Sequence, residues 1–280
     1  MTGWTRVMSR RTFLRDLGHG AFALTVIGLA GCTPSPARPT QPQFPTLPGG
    51  GDPLTYVGNL DEIESFWCTE AMPRTDPALG PDRDNANPPR WARIGEANSS
   101  GYVLVRGGEA TVVDTAQWCV PAVIEGGLKA VGLDWSAVGS IIVTHKHPDH
   151  WIGLPTALER APDAAVFAGA ADIPHIASPR PIVAVGAGDR VVDLAIIPTP
   201  GHTPGHIAVH DEAAGVLVVG DAIAGARERL ELLPTSEDLL QAQASVRILA
   251  GLSFDTLLAG PGIPIVGGAW EELTDYLAGT

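Results

Sequence analysis

The stretch T-H-K-H-P-D-H at 144–150 constrains this chain more than any other. It sets His145, His147, Asp149 and His150 within six positions. It follows V-G-S-I-I-V-T (138–144), a continuous apolar run of the kind found in strands buried on both faces. In an extended segment leaving such a strand, residues two apart project to the same side, so His145 and His147 share a direction. Pro148 then bends the chain and carries Asp149 and His150 into the turn before the next helix. Open α/β sheets place ligands at the carboxyl ends of their strands, and imidazole with carboxylate suits zinc, iron or manganese. A solvated polar loop has no need of three histidines.

The pattern around this stretch alternates between two periods. Short β-branched runs at 101–106 and 110–114, split by Gly107-Gly108, predict a hairpin. Helical spacing covers 121–131, with Pro121 near the first turn, and 154–160. Strand patterns recur at 164–168, 191–198, 206–210, 215–219 and 256–259. The longest helical pattern is 236–249, with Ser236 as its N-cap. Strands alternating with helices define an α/β class in which helices cover the sheet faces. Residues 52–98 hold few periodic apolar runs and read as turns and loops, M-P-R-T-D-P and N-A-N-P-P-R among them.

The first 32 residues read as a targeting segment. S-R-R-T-F-L-R (9–15) carries the paired arginines of a twin-arginine export signal. The apolar stretch after it, roughly 21–30, is too short to span a bilayer as a mature helix. It ends in L-A-G-C, which resembles a bacterial lipobox, with Cys32 as the lipidated residue. Acyl chains on Cys32 would be the chain's one membrane attachment, and the twin-arginine machinery its export partner. The expected location is therefore a lipoprotein on the outer face of the cell membrane, or the periplasm. Residues 33–51, rich in Pro, Gly, Thr and Gln, read as a flexible linker, and 52–280 as the functional domain. Cys68 and Cys119 allow a disulfide in an exported compartment, or two separate thiols. The formal net charge of −13 argues against nucleic acid as a partner; the expected partner is a small-molecule substrate.

Taken together, these motifs resemble the metallo-β-lactamase superfamily of metallo-hydrolases. N-S-S-G-Y-V-L-V followed by A-T-V-V-D-T looks like that fold's opening strands, with Asp114 at the usual place. T-P-G-H-T-P-G-H (199–206) looks like its second histidine motif, and V-V-G-D-A (218–222) like its bridging-aspartate motif. The resemblance runs from about residue 96 to 266. It implies a four-layer αβ/βα sandwich. It also implies a first metal on His145, His147 and His202 with shared Asp221, and a second on Asp149, His150 and Asp221. Where the family often closes the second site with P-G-H, this chain has G-P-G-I-P-I. Ile263 stands at that position, so the expectation is one tight zinc and a weak second site; iron and manganese suit the same ligands.

The implied chemistry is hydrolysis of an ester, thioester, lactone or lactam-type bond by a metal-bound hydroxide. One zinc can lower the pKa of its water to about 7. Asp149 and Asp221 are the expected catalytic carboxylates, Asp149 orienting the nucleophile or taking its proton. His206 is expected to support a ligand rather than bind metal, and Asp114 to brace its loop beneath the site. His175 and His210 are expected at the solvated surface. Two other classes fit the missing histidine: a mononuclear iron enzyme oxidising sulfur compounds, and a ligand-binding pseudoenzyme.

Overall fold

The computed structural model describes residues 90–96, 99–116, 120–226 and 229–280. The export signal, Cys32, the linker, the 52–89 part of the loop-rich stretch, Cys68 and Cys119 lie outside the described residues. Among the described residues, no helix is long and apolar enough to cross a membrane.

The first sheet begins with β1 (Trp91–Glu96), β2 (Ser99–Arg106) and β3 (Glu109–Val113). The β2–β3 hairpin turns on Gly107 and Gly108, whose φ values of 59° and 88° are the left-handed pair that a two-residue turn requires. After helix α1 (Val120–Ala130) come β4 (Val138–Val143), the short helix α2 (Pro148–Trp151), α3 (Leu154–Arg160), β5 (Ala165–Gly169) and β6 (Ile182–Val185). The sheet order is β1-β2-β3-β4-β5-β6, with β3 to β6 parallel.

The second sheet takes β7 (Arg190–Val191), β8 (Leu194–Pro198), β9 (Ile207–Asp211), β10 (Val216–Gly220), β13 (Thr256–Ala259) and β14 (Ile265–Val266). Their order is β14-β13-β10-β9-β8-β7. A small hairpin, β11 (Ala224–Ala226) with β12 (Arg229–Glu231), stands apart from it. Helices α4 (Leu239–Leu249) and α5 (Ala269–Ala278) complete the chain.

Alternation along the central strands builds the layers. Ile141 and Val143 of β4 enter a core with Ile124 and Leu128 of α1 and Leu154 of α3, whereas Ile142 faces the other sheet. Val216 and Val218 of β10 meet that same inter-sheet core, while Leu217 and Val219 pack with Val246 of α4 and Leu273 of α5. Each such aliphatic side chain, wholly withdrawn from water, contributes about 1.5–3 kcal/mol. The result is the four-layer αβ/βα sandwich: helices, sheet, sheet, helices.

Four expectations need correction. Residues 91–96 are an edge strand, not loop: Ala92 and Ile94 enter the helix-side core, and Trp91 packs edge-on to Tyr102 in the inter-sheet core. Arg93 and Gly95 obscured the alternation. The 191–198 run is two strands joined at Val192 and Asp193, which hold φ values of 48° and 65°; a β-branched residue at positive φ gives no sequence warning. Helix α4 is capped by Asp238, whose carboxylate accepts from the Gln241 N–H at 3.0 Å, rather than by Ser236. His210 is buried, with Nε2 3.0 Å from the Ser253 carbonyl oxygen, while His175 is exposed.

Candidate metal centre

The turns after β3, β4, β10 and β13, together with the β8–β9 loop, converge at one edge of the sandwich. Asp114 follows β3, the 145–150 segment follows β4, Asp221 follows β10, and Gly260 follows β13. His202 and His206 come from the β8–β9 loop. Strand ends in register thus deliver residues that are distant in sequence to one place.

Three ring nitrogens face one another there. His147 Nδ1 lies 3.0 Å from His145 Nε2 and 2.9 Å from His202 Nε2. His145 and His202 are buried and His147 is half-buried. The surrounding hydrogen bonds set the tautomers. The Thr144 hydroxyl donates to Asp114 Oδ2 at 2.7 Å, so it accepts from His145 Nδ1 at 3.0 Å and leaves His145 Nε2 as a lone pair. Nδ1 of His202 is held more loosely, 3.4 Å from the Ser236 hydroxyl. Burial depresses all three imidazoles: His145 and His147 below the usual histidine range, and His202 to about 4. All three therefore present neutral nitrogen donors at pH 7.

A second group adjoins the first. His150 donates from Nδ1 to Asp114 Oδ2 at 2.8 Å, and its Nε2 approaches Asp221 Oδ1 to 3.1 Å. Neither Nε2 of His150 nor Oδ1 of Asp221 has a hydrogen-bond partner, although both atoms are buried. Burial alone would depress the His150 pKa, but the carboxylates of Asp221 and Asp114 outweigh it and hold that imidazole well above its ordinary value. Asp221 is itself held low: burial raises it, and the neighbouring His150 more than offsets that. Asp149, one-third exposed, stands at the rim with Oδ2 3.6 Å from His150 Nε2.

The donor chemistry fits a divalent metal. His145, His147 and His202 form one set, and His145, His150 and Asp221 another; within each, the donor atoms all lie within 4.8 Å of one another. A cation is what three converging lone pairs and an orphaned buried carboxylate oxygen call for. Ile263 supplies no donor: its side chain is 63% exposed.

Two further residues are tied into the cluster by hydrogen bonds. Asp114 accepts from the Thr144 N–H at 2.7 Å, the Thr144 hydroxyl and His150, and so ties the β3 end to the β4 end. His206 turns away from the nitrogen cluster. Its Nε2 accepts the Asp221 N–H at 3.1 Å and its Nδ1 lies 2.7 Å from the Thr199 hydroxyl; burial pushes its pKa to about 3. Thr144 and Thr199, which orient His145 and His206, were not among the residues expected at the site. Their signal was position, each directly beside a motif end with a hydroxyl that can accept an Nδ1–H.

A mixed sandwich carrying clustered histidines and carboxylates at one strand-end edge defines a metal-binding α/β protein. The Metallo-beta-lactamase superfamily profile matches residues 94–260, more than half of the chain, and the chain belongs to that superfamily. A hydroxyacylglutathione hydrolase from Parasynechococcus marenigrum is 38% identical over 111 residues, 38% of this chain and 41% of its own length. The match thus spans less than half of that relative. An uncharacterised protein of Aquifex aeolicus is 30% identical over 198 residues, 63% of this chain and 86% of its own. Among solved structures, a metallo-beta-lactamase family protein from Thermus thermophilus superposes with a TM-score of 0.52 and 22% identity, over 67% of this chain and 77% of the other. A Pseudomonas aeruginosa metallo-beta-lactamase in its mono-zinc form gives 0.54 and 19%, over 73% and 96%. At such identities the structural likeness speaks for the fold alone.

Proposed function

We propose that this chain is a metallo-hydrolase that cleaves an acyl bond, a thioester first among the candidates, with one tightly held zinc. The observation that carries this reading is the convergence of three neutral imidazoles, with His147 Nδ1 3.0 Å from His145 Nε2 and 2.9 Å from His202 Nε2, and all three nitrogens within 4.8 Å of one another. The thioester preference draws on the hydroxyacylglutathione hydrolases among its relatives. A zinc ion on these residues would make water nucleophilic at neutral pH and polarise an acyl carbonyl.

The protein's own groups have distinct tasks. Asp149, at the rim and one-third exposed, would accept a proton from an attacking water. Asp221 lies between His202, 3.5 Å from its Oδ2, and His150, 3.1 Å from its Oδ1, so it can serve either donor set. Thr144 accepts the Nδ1 hydrogen of His145, and Asp114 that of His150, so each ring, when neutral on a bound metal, would offer Nε2 to it. With Ile263 exposed, the second set has only His150 and Asp221 beside the shared His145, with Asp149 at the rim, which favours one tight ion. The lipid-tethered location outside the cytoplasm rests on the N-terminal motifs and belongs to the same proposal.

The test is the metal content of the folded domain purified without added metal, beside His202→Ala, followed by a screen of acyl thioesters, esters, lactones and lactams. About one zinc per chain, lost in the variant, with turnover in the screen, is the expected result. Iron in its place would redirect the reading to sulfur oxidation. Absence of tightly bound metal from the parent protein would overturn it.

A further inference from the structure

Asp172 stands outside every motif considered so far. It follows the carboxyl end of β5, and its side chain is wholly buried. Its carboxylate accepts three hydrogen bonds, all from the two loops that carry the histidine cluster. Oδ2 accepts from the backbone N–H of Lys146 at 3.0 Å and from the hydroxyl of Thr203. Oδ1 accepts from the backbone N–H of Gly205 at 2.8 Å. Lys146 lies between His145 and His147, Thr203 follows His202, and Gly205 precedes His206.

Two of the three donors are main-chain groups, so this carboxylate fixes the backbone from which the imidazoles project. The surroundings are shaped to admit it. A Cβ at Gly205 would lie 2.5–2.8 Å from atoms of Asp172, and a Cβ at Gly169 would lie 1.9 Å from the Gly205 carbonyl oxygen. Glycine at both positions lets the second histidine loop close onto the first. The Asp172 backbone is held in turn, its N–H donating to Gly169 at 3.0 Å and its carbonyl accepting from His175 at 2.9 Å.

We infer that Asp172 is a positioning residue for the metal ligands: its buried carboxylate sets the separation between the 145–147 segment and the 202–206 loop. The inference rests on His145, His147 and His202 being the ligands. An ionised carboxylate only accepts, which matches three donors; an amide of the same shape must turn its NH2 toward one of them. Asp172→Asn therefore keeps the volume and breaks the match. Thr203→Val removes one donor at constant shape, and Thr203→Ser restores it.

The experiment titrates cobalt(II) into the metal-free full chain, reading its visible absorption and its competition with a chelator. Asp172→Asn is expected to bind about 10- to 100-fold more weakly than the parent, as outer partners of metal ligands do, with an altered cobalt spectrum. Thr203→Val should move the same way, and Thr203→Ser should return close to the parent. Should Asp172→Asn fail to fold, the Thr203 pair decides the matter by the presence or absence of that rescue. Parental affinity and spectrum in both Asp172→Asn and Thr203→Val would overturn the inference while leaving the ligand assignment standing. A parent chain that takes up no cobalt would overturn both.

Discussion

The backbone N–H of Asp221 donates to Nε2 of His206 over 3.1 Å. That bond uses the nitrogen His206 would otherwise offer to a metal, and it anchors the carboxylate of the second donor set. His206→Ala should therefore behave unlike His202→Ala. It leaves a buried N–H unpaired, a cost of about 1–3 kcal/mol. It also loosens Asp221 without removing any nitrogen donor, so metal affinity should fall about 10- to 100-fold while the stoichiometry at saturation is kept. Urea unfolding and chelator competition on the two variants separate the cases. Complete loss of metal from His206→Ala would show that it is a ligand.

Burial of the imidazoles makes the metal-free protein sensitive to acid. His206 is held at about 3 and His202 at about 4, against an ordinary value near 6.5. From pH 6.5 downward the unfolded chain binds more protons than the folded one, so stability is full above pH 6.5 and is lost as the pH falls toward 4. His206, wholly buried, contributes about 3 kcal/mol across this range. His150 has the opposite sign, because its folded value is raised. Its contribution is complete below pH 6.5 and does not offset the loss in this window. The urea midpoint of the metal-free protein should drop steadily between pH 7 and 5. A level midpoint would mean that these rings titrate freely.

How much of this was legible beforehand differs by element. The strands carrying continuous aliphatic runs, such as β4 and β10, declared themselves because burial on both faces leaves no ambiguity of period. The hairpin at Gly107-Gly108 did so through its turn chemistry. The Val192-Asp193 turn did not, since tertiary pairing of β7 with β8 imposes a conformation that neither residue favours. At the site, the histidines and Asp221 stood out as motifs, whereas Asp172 and Thr144 act through hydrogen bonds that only the folded proximity of the loops creates. His210 was misplaced for a related reason: its acidic neighbours suggested solvent, but β9 is a central strand and the Ser253 carbonyl receives its ring.

Gly260 gives a steric test of the same region. A Cβ there would lie 2.3 Å from Asp221 Oδ1 and 2.9 Å from Cε1 of His150. The Gly260 N–H also donates to the Gly220 carbonyl at 2.8 Å, and its own carbonyl accepts from Ser100, so the backbone is tied on both sides and has little freedom to retreat. Gly260→Ala should displace Asp221 and His150 together, costing about 1–3 kcal/mol in stability as overpacking does. It should weaken metal binding as well, whereas Gly107→Ala, with nothing within 4 Å of its added carbon, should leave metal binding unchanged. Equal metal affinity in Gly260→Ala and the parent would refute the steric argument.

Ile263 offers the converse change, a gain. Its side chain is 63% exposed, so replacing it removes little packing. Its backbone is tied to the hairpin, the Ile263 N–H donating to the Gly225 carbonyl at 3.3 Å, so a new side chain there inherits a fixed origin. Position 263 is where the family motif carries its last histidine, and His150 Nε2 and Asp221 Oδ1, the donors it would join, are buried without a hydrogen-bond partner. Adding an imidazole through Ile263→His should complete the weaker donor set at nearly unchanged stability, within about 0.5 kcal/mol as for surface substitutions generally. Metal content after dialysis should rise from about one ion per chain toward about two, the fourth donor being what a closed site needs. Combining it with His150→Ala should cancel the gain, because the new ligand would then lack its partner. If Ile263→His leaves the content at one, the missing histidine is not what limits the second site.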